Sequence, residues 1–159
     1  MTSTTHHETQ IVVDPDVPLV RIVREFDAPP EKVFRAHVDP ELFAQWTGPK
    51  GMEIRIDHTT AAPAARTATM SQDGENYSFN GVFHEVRENE LIVQTFAFEG
   101  MPDGVALERL VLEDIGGGRT RLTATSLVDS FEARDAFLAS GMESGVRDGY
   151  ERLDELLAA

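Results

Sequence analysis

Apolar residues recur in two rhythms along the chain, and the switches between them mark its elements. In VPLVRIVREF (17–26) they alternate around Val20, Ile22 and Val23, which predicts a first strand. DAPPEKVFRAHVDPELFAQW then changes to a helical period that puts Val33, Phe34 and His37 on one face. Pro29 and Pro30 stand where a helix starts. Asp39-Pro40-Glu41 is an N-cap followed by proline at the first helical position, so a second short helix should run to about Gln45 and end at Trp46-Thr47-Gly48-Pro49. Strands are expected at 52–58, 66–72, 77–87, 90–98, 105–115 and 119–128. Turn signals separate them at Asp73-Gly74, Glu88-Asn89, Gly100 to Gly104 and Gly116-Gly117-Gly118, the pattern of an antiparallel meander.

The last segment predicts one long helix capped at or near Ser130. Leu138, Met142, Val146, Tyr150, Leu153 and Leu157 form its apolar stripe, with Arg147, Glu151, Asp154 and Glu155 on the other side. Such a stripe must bury itself against the sheet. The element order therefore implies an α+β fold, a single antiparallel sheet with helices on one side. Residues 1–17, polar and punctuated by proline, are expected to form a flexible tail ahead of a single domain over 18–159.

Composition narrows the function classes. A chain of 159 residues with 41% hydrophobic and 26% charged residues fits one soluble domain with a sizeable core. Its net charge of −14 and lack of a Lys/Arg cluster argue against nucleic acid and against an anionic membrane surface. No apolar run approaches the length of a membrane span. No basic start leads into an apolar block, so a cytoplasmic location is expected. Without cysteine, disulfides, thiolate catalysis and Cys-ligated zinc are excluded.

Candidate chemistry is sparse. His37, His58 and His84 show no metal-ligand spacing, and neither a metal nor another cofactor is expected. Asp57-His58 and His84-Glu85 are sequence neighbours on strands, so each pair points to opposite faces and forms no dyad. In VALERLVLE, Arg109 shares a face with Leu107 and Val111, and Glu108 shares the other with Leu110 and Leu112. Only one of these faces can look inward, and the sequence leaves the choice open. An inward Arg109 could hold a ligand carboxylate; surface ion pairing is the plainer role. Gly141, Gly145 and Gly149 suggest a helix face that a strand or a ligand approaches closely. Ser126, Ser130 and Ser140 lack a nucleophile-elbow context, and the triple glycine joins two strands and so forms a hairpin, not a phosphate cradle.

The segments VREFDAPPEKVFRAHVDPELFAQWTGP, FNGVFHEVRENELIVQTFAFEG, LEDIGGGRTRLTATS and ARDAFLASGMESGVRDGYERLDELL together span most of residues 19–157. In combination they resemble the heat-shock protein 90 ATPase activator homologue family of the START-like, or SRPBCC, superfamily. The resemblance implies a helix-grip fold: a curved antiparallel sheet wrapped around a long C-terminal helix, with two short helices after the first strand. It also implies a cavity between sheet and helix, in which many relatives hold apolar molecules. Trp46, Phe79, Phe83, Phe96, Phe98, Arg109, Met142, Gly145 and Tyr150 are the residues expected to line it. The implied role is binding of a small apolar or amphipathic ligand. The alternatives are a cavity enzyme of the cyclase or dehydratase kind, which would need two convergent ionisable groups, and a chaperone-interaction module; a homodimer is left open.

One stretch departs from the resemblance. After Ile56-Asp57-His58, relatives usually carry an aromatic, an acid, Arg-x-Gly-Gly and two further aromatics. Here the same length reads TTAAPAARTAT. Written in chosen GC-rich codons and read from the last base of the His58 codon, it gives Tyr-Asp-Gly-Arg-Thr-Gly-Gly-Pro-Tyr-Gly-Tyr-His, so a compensated frameshift over 59–70 stands beside natural divergence and engineering as its origin. On any origin, a mobile or rerouted 59–66 loop and an enlarged or leaky cavity are expected, while Thr67 and Thr69 still suit a strand.

Overall fold

The computed structural model describes residues 8–47, 53–59, 65–72 and 74–159, with the backbone alone for 53–59, 65–68, 70 and 72. The chain order is β1 (Gln10–Val13), β2 (Leu19–Phe26), α1 (Pro30–Val38), α2 (Pro40–Trp46), β3 (Glu53–Thr59), β4 (Ala65–Gln72), β5 (Glu75–Arg87), β6 (Leu91–Phe98), β7 (Val105–Gly116), β8 (Arg119–Leu127), α3 (Phe131–Ala139) and α4 (Met142–Ala158). The strands form one curved antiparallel sheet in the order β1-β2-β8-β7-β6-β5-β4-β3. This is the α+β helix-grip architecture expected from the sequence.

Local chemistry sets the element ends. The Asp39 carboxylate accepts from the Glu41 and Leu42 amides and starts α2. Ser130 Oγ accepts from the Ala133 amide at 3.0 Å and starts α3. Gly116, Gly117 and Gly118 all adopt positive φ in the β7–β8 hairpin, where a side chain would be strained.

Two expectations are corrected. Residues 10–13, assigned to a flexible tail, form an edge strand whose Gln10 pairs with Val23 and Val13 with Val20. Half-buried Ile11 packs against the core, which a loose tail would not allow. The single terminal helix is two helices. The Ser140 amide closes α3 on the Ala136 and Phe137 carbonyls, and Gly141 turns left-handed at φ 88° before α4. Gly141 therefore serves the break between helices and not close packing within one.

The core joins one face of β2, β7 and β8 to the helices. Val20, Ile22 and Phe26 of β2, Leu110 and Leu112 of β7 and Leu122 of β8 are buried with Val33 and Phe34 of α1, Trp46 of α2, and Tyr150 and Leu153 of α4. Each such side chain contributes about 1.5–3 kcal/mol by leaving water. The phase of β2 differs in detail from the sequence expectation. Val20, Ile22, Arg24 and Phe26 point inward, and Val23 is only half-buried.

Strand β4 forms despite its unusual letters. It pairs from Ala65↔Val82 to Gln72↔Glu75 with β5, and from Arg66↔Thr59 to Ser71↔Glu53 with β3. Thr69 is buried, and its Oγ1 lies 3.3 Å from Ser78 Oγ. The backbone ladder needs φ/ψ in the β region, which threonine favours whatever becomes of the aromatics. Residues 60–64 of the loop expected to be rerouted lie outside the described residues.

Candidate functional site

β5 carries a register shift between Phe83 and Glu85, opposite Gln94 of β6. Close by, Gly81 lets the two backbones approach: a Cβ there would lie 1.9 Å from the Thr95 carbonyl oxygen. A cleft of about 60 Å³ opens beside this irregularity and reaches to Phe43 and Thr47 at the end of α2. Phe43, Phe79, Phe83 and Phe96 make its apolar wall. Phe79 and Phe96 stack with centroids 5.2 Å apart, and Phe98 tilts against Phe79 at 5.3 Å.

Gln94 leads from the cleft into a polar interior. Its Nε2 donates to Glu108 Oε1 at 2.9 Å across the β6–β7 ladder. Burial pushes the Glu108 carboxyl above the ordinary carboxylate range, while the Gln94 amide and the nearby Ser126 hydroxyl oppose the shift. Ser126 is the register partner of Glu108 on β8. Its Oγ is buried, and it stands close enough to Glu108 to favour the charged carboxylate.

Tyr150 approaches from α4 and is 6% exposed. Burial, reinforced by the Glu108 charge and opposed by Arg24, pushes its phenol far above the ordinary value, so the hydroxyl stays protonated. Trp46 stacks on Tyr150 at 5.9 Å and donates its indole N–H to the Ala36 carbonyl at 2.9 Å. Phe43 stands edge-on to Trp46 at 5.5 Å, so an aromatic column runs from the cleft to Tyr150.

Arg24 completes the interior polar group. It is buried on β2, ion-pairs with Asp154 of α4 and donates to Thr9 Oγ1 at 2.6 Å. Its Nε is buried without a partner among the described residues. The pair is close to neutral, which lowers the cost of burying the guanidinium. Among the described residues no three His, Cys, Asp or Glu side chains gather as a metal site. No helix among them is long and apolar enough to cross a membrane.

The family described as Activator of Hsp90 ATPase homolog 1-like protein matches residues 27–158. The chain belongs to this family. Solved structures carry the same fold. A protein from Arthrobacter aurescens is 25% identical with a TM-score of 0.85, over 94% of this chain and 91% of that one. Protein Ms6760 from Mycobacterium smegmatis is 24% identical with a TM-score of 0.84, over 94% and 97%. Protein CV1439 from Chromobacterium violaceum is 24% identical with a TM-score of 0.78, over 89% and 98%. No curated protein matches the chain.

In this Hsp90-activator-homologue-like domain, the residues singled out from sequence separate into three groups. Phe79, Phe83 and Phe96 line the cleft, with Phe98 against Phe79. Trp46, Met142 and Tyr150 belong to the core, and half-buried Gly145 lies outside the cleft lining. Arg109 is corrected: it is exposed, because the face of β7 carrying Ala106, Glu108, Leu110 and Leu112 turns inward. Asp154, placed on the outer side of the helix from sequence, turns to Arg24. His37 is buried with Nδ1 2.7 Å from the Val33 carbonyl, and His84 is exposed; the side chains of Asp57 and His58 lie outside the described residues. Sequence reasoning passed over Arg24, Phe43 and Gln94. The signal for Arg24 was available: it occupies an inward place in the alternation Val20, Ile22, Arg24, Phe26.

Proposed function

We propose that the domain binds a small apolar or amphipathic molecule in the cleft between strands β5 and β6 and the end of α2, and not against the C-terminal helix as expected from sequence. The apolar part of the ligand lies along Phe79, Phe83 and Phe96, and its polar end points towards Gln94 and Glu108. The observation that carries this reading is an aromatic cleft with Gln94 at one side, whose amide donates to the Glu108 carboxylate at 2.9 Å. An apolar ligand gains by leaving water for the phenyl rings, and a few placed polar atoms fix its orientation. The volume of about 60 Å³ suits the tip of a ligand, such as a short alkyl chain or the edge of an aromatic ring, with the rest of the molecule outside it.

Ethylbenzene is a fitting probe. A ligand that binds only the folded state raises the unfolding temperature in proportion to the logarithm of its concentration. Wild-type protein should show that rise, and Val82→Phe, which narrows the cleft, should lose it while still unfolding cooperatively. A wild-type unfolding temperature that stays constant up to saturating ethylbenzene would contradict the reading.

A further inference from the structure

The core occupies one face of the sheet, and the other face carries a pattern of its own. Ile22, Leu110 and Leu122 pack inward with the helices, so the positions that alternate with them look outward. Register aligns these outward residues in rows. Leu19 of β2, Leu127 of β8 and Leu107 of β7 stand side by side, and Val105 follows Leu107 along the outer face of β7. Leu107, Leu127 and Val105 are exposed, so they make a contiguous apolar patch and not scattered single residues. The next row is Arg21, Thr125 and Arg109, and beyond it lie Val23, Thr123 and Val111.

The charge of this face runs against that of the chain. Acids outnumber bases by 28 to 14 overall. Yet the outward positions of 19–23, 91–97, 105–111 and 123–127 hold two arginines and no acid. On the sheet Arg109 is bounded by Val93, Thr125, Leu107 and Val111, and Arg21 by Val12, Thr125, Leu19 and Val23. The acids of the outer face stand at its hairpin end, where Glu25 takes Arg119 and Arg121. Asp14, in the loop ahead of β2, feels the Arg21 charge at the margin of the patch. Arg21 and Arg109 are two strands apart in one row, about 10 Å at the backbone. Residues i and i+7 of a helix share a face and are also about 10 Å apart.

We propose that the outer face of β2, β8 and β7 docks an acidic amphipathic helix of a protein partner. Its apolar stripe covers Leu19, Leu107 and Leu127, and two carboxylates seven residues apart meet Arg21 and Arg109. This site is independent of the cleft on the inner face. A second copy stacked here about a two-fold axis through the patch would set arginines against arginines. An anionic membrane would meet the surrounding acids of the −14 chain as a whole plane. A helix is narrow enough to meet the patch alone, because charges further than about 8 Å away are screened at physiological salt. Exposed ion pairs add little affinity, so the leucines supply the hold and the arginines select the partner.

Fluorescence anisotropy with the full chain tests this. The probe is a labelled helical peptide of about 15 residues, with a leucine stripe bordered by two Glu seven apart. It should bind about fivefold more tightly than the same peptide with Gln at those places, and a Lys version should bind more weakly still. The preference should close at 1 M salt, where screening reaches down to about 3 Å. Arg109→Glu should abolish the preference, and Leu107→Ser should weaken all three peptides. Both residues are exposed, so each variant should unfold at the wild-type temperature. Arg35→Glu makes the same charge change on α1 and should leave binding as it is. No saturable binding of the Glu peptide up to millimolar concentration overturns the proposal, as do equal affinities for the three peptides or binding indifferent to Leu107→Ser. Two further outcomes overturn it by naming another occupant. One is attachment to phosphatidylserine vesicles that Arg109→Glu removes; the other is a concentration-dependent dimer in sedimentation that Leu107→Ser dissociates.

Discussion

Glu108 occupies a place where an ionised carboxylate is unfavourable, and this has a consequence for stability that needs no ligand. Its folded-state proton affinity is raised by burial, whereas the unfolded chain holds it at the ordinary carboxylate value. Between those two values the folded state keeps a proton that the unfolded state has released. Stability must therefore fall as pH rises across that window, and the contribution is fully present only below it. Glu25 behaves in the opposite sense. Burial alone would raise it, but hydrogen bonds from Arg121 and Arg119 outweigh that and lower it, so its contribution is lost as pH falls. Urea unfolding midpoints followed from mildly acidic to neutral pH should carry a downward contribution that Glu108→Gln removes, so the variant's slope should be less negative; an identical slope in the variant would count against a half-buried, protonation-sensitive Glu108. At this scale the sequence was only partly legible. The alternation in VALERLVLE shows that Glu108 and Arg109 face opposite ways, yet which face looks inward depends on register with β6 and β8, a long-range property.

Helix α4 is held to the sheet by more than its apolar stripe. Arg24 of β2 reaches across to Asp154, and the side chains are 4% and 23% exposed. Removing the acid leaves a guanidinium deep in the fold, so Asp154→Ala should destabilise by about 3 kcal/mol, far more than an exposed pair of the Arg35–Asp39 kind, whose loss costs about 0.5 kcal/mol. Chemical denaturation at low and high salt checks this: the loss should persist in high salt, and a loss under 1 kcal/mol that vanishes in salt, as is usual for surface pairs, would show the contact to be peripheral. The ends of the elements were the most legible part of the chain, because Asp39, Ser130 and the triple glycine act through their immediate neighbours. The break at Ser140-Gly141 was not, since a glycine in a helical stripe reads equally as a packing residue or a stop until its φ is known. Edge strand β1 escaped notice for a related reason: four residues between prolines and polar side chains carry too short an alternation to stand out.

For the whole molecule, the architecture followed from the order of rhythms along the sequence, and the family words added the expectation of an interior cavity. The cleft itself was legible only as a set of phenylalanines. Its position depends on the register shift after Phe83 and the close approach at Gly81, and Gln94 joins it to Glu108 through pairing that no local pattern announces. The ladder of β4 over Ala65–Gln72 is in place without an aromatic residue, so this strand of the sheet does not require the aromatics that the resemblance implied there. The central claim is that the aromatic cleft receives a ligand. Its most direct test is the NMR spectrum of protein with ¹³C-labelled phenylalanine rings, titrated with ethylbenzene. Ring signals of Phe79, Phe83 and Phe96 should move together along one saturable curve, while those of Phe131 and Phe137 on α3 stay in place. Shifts confined to α3, or no saturable shift at the three cleft rings, would contradict it.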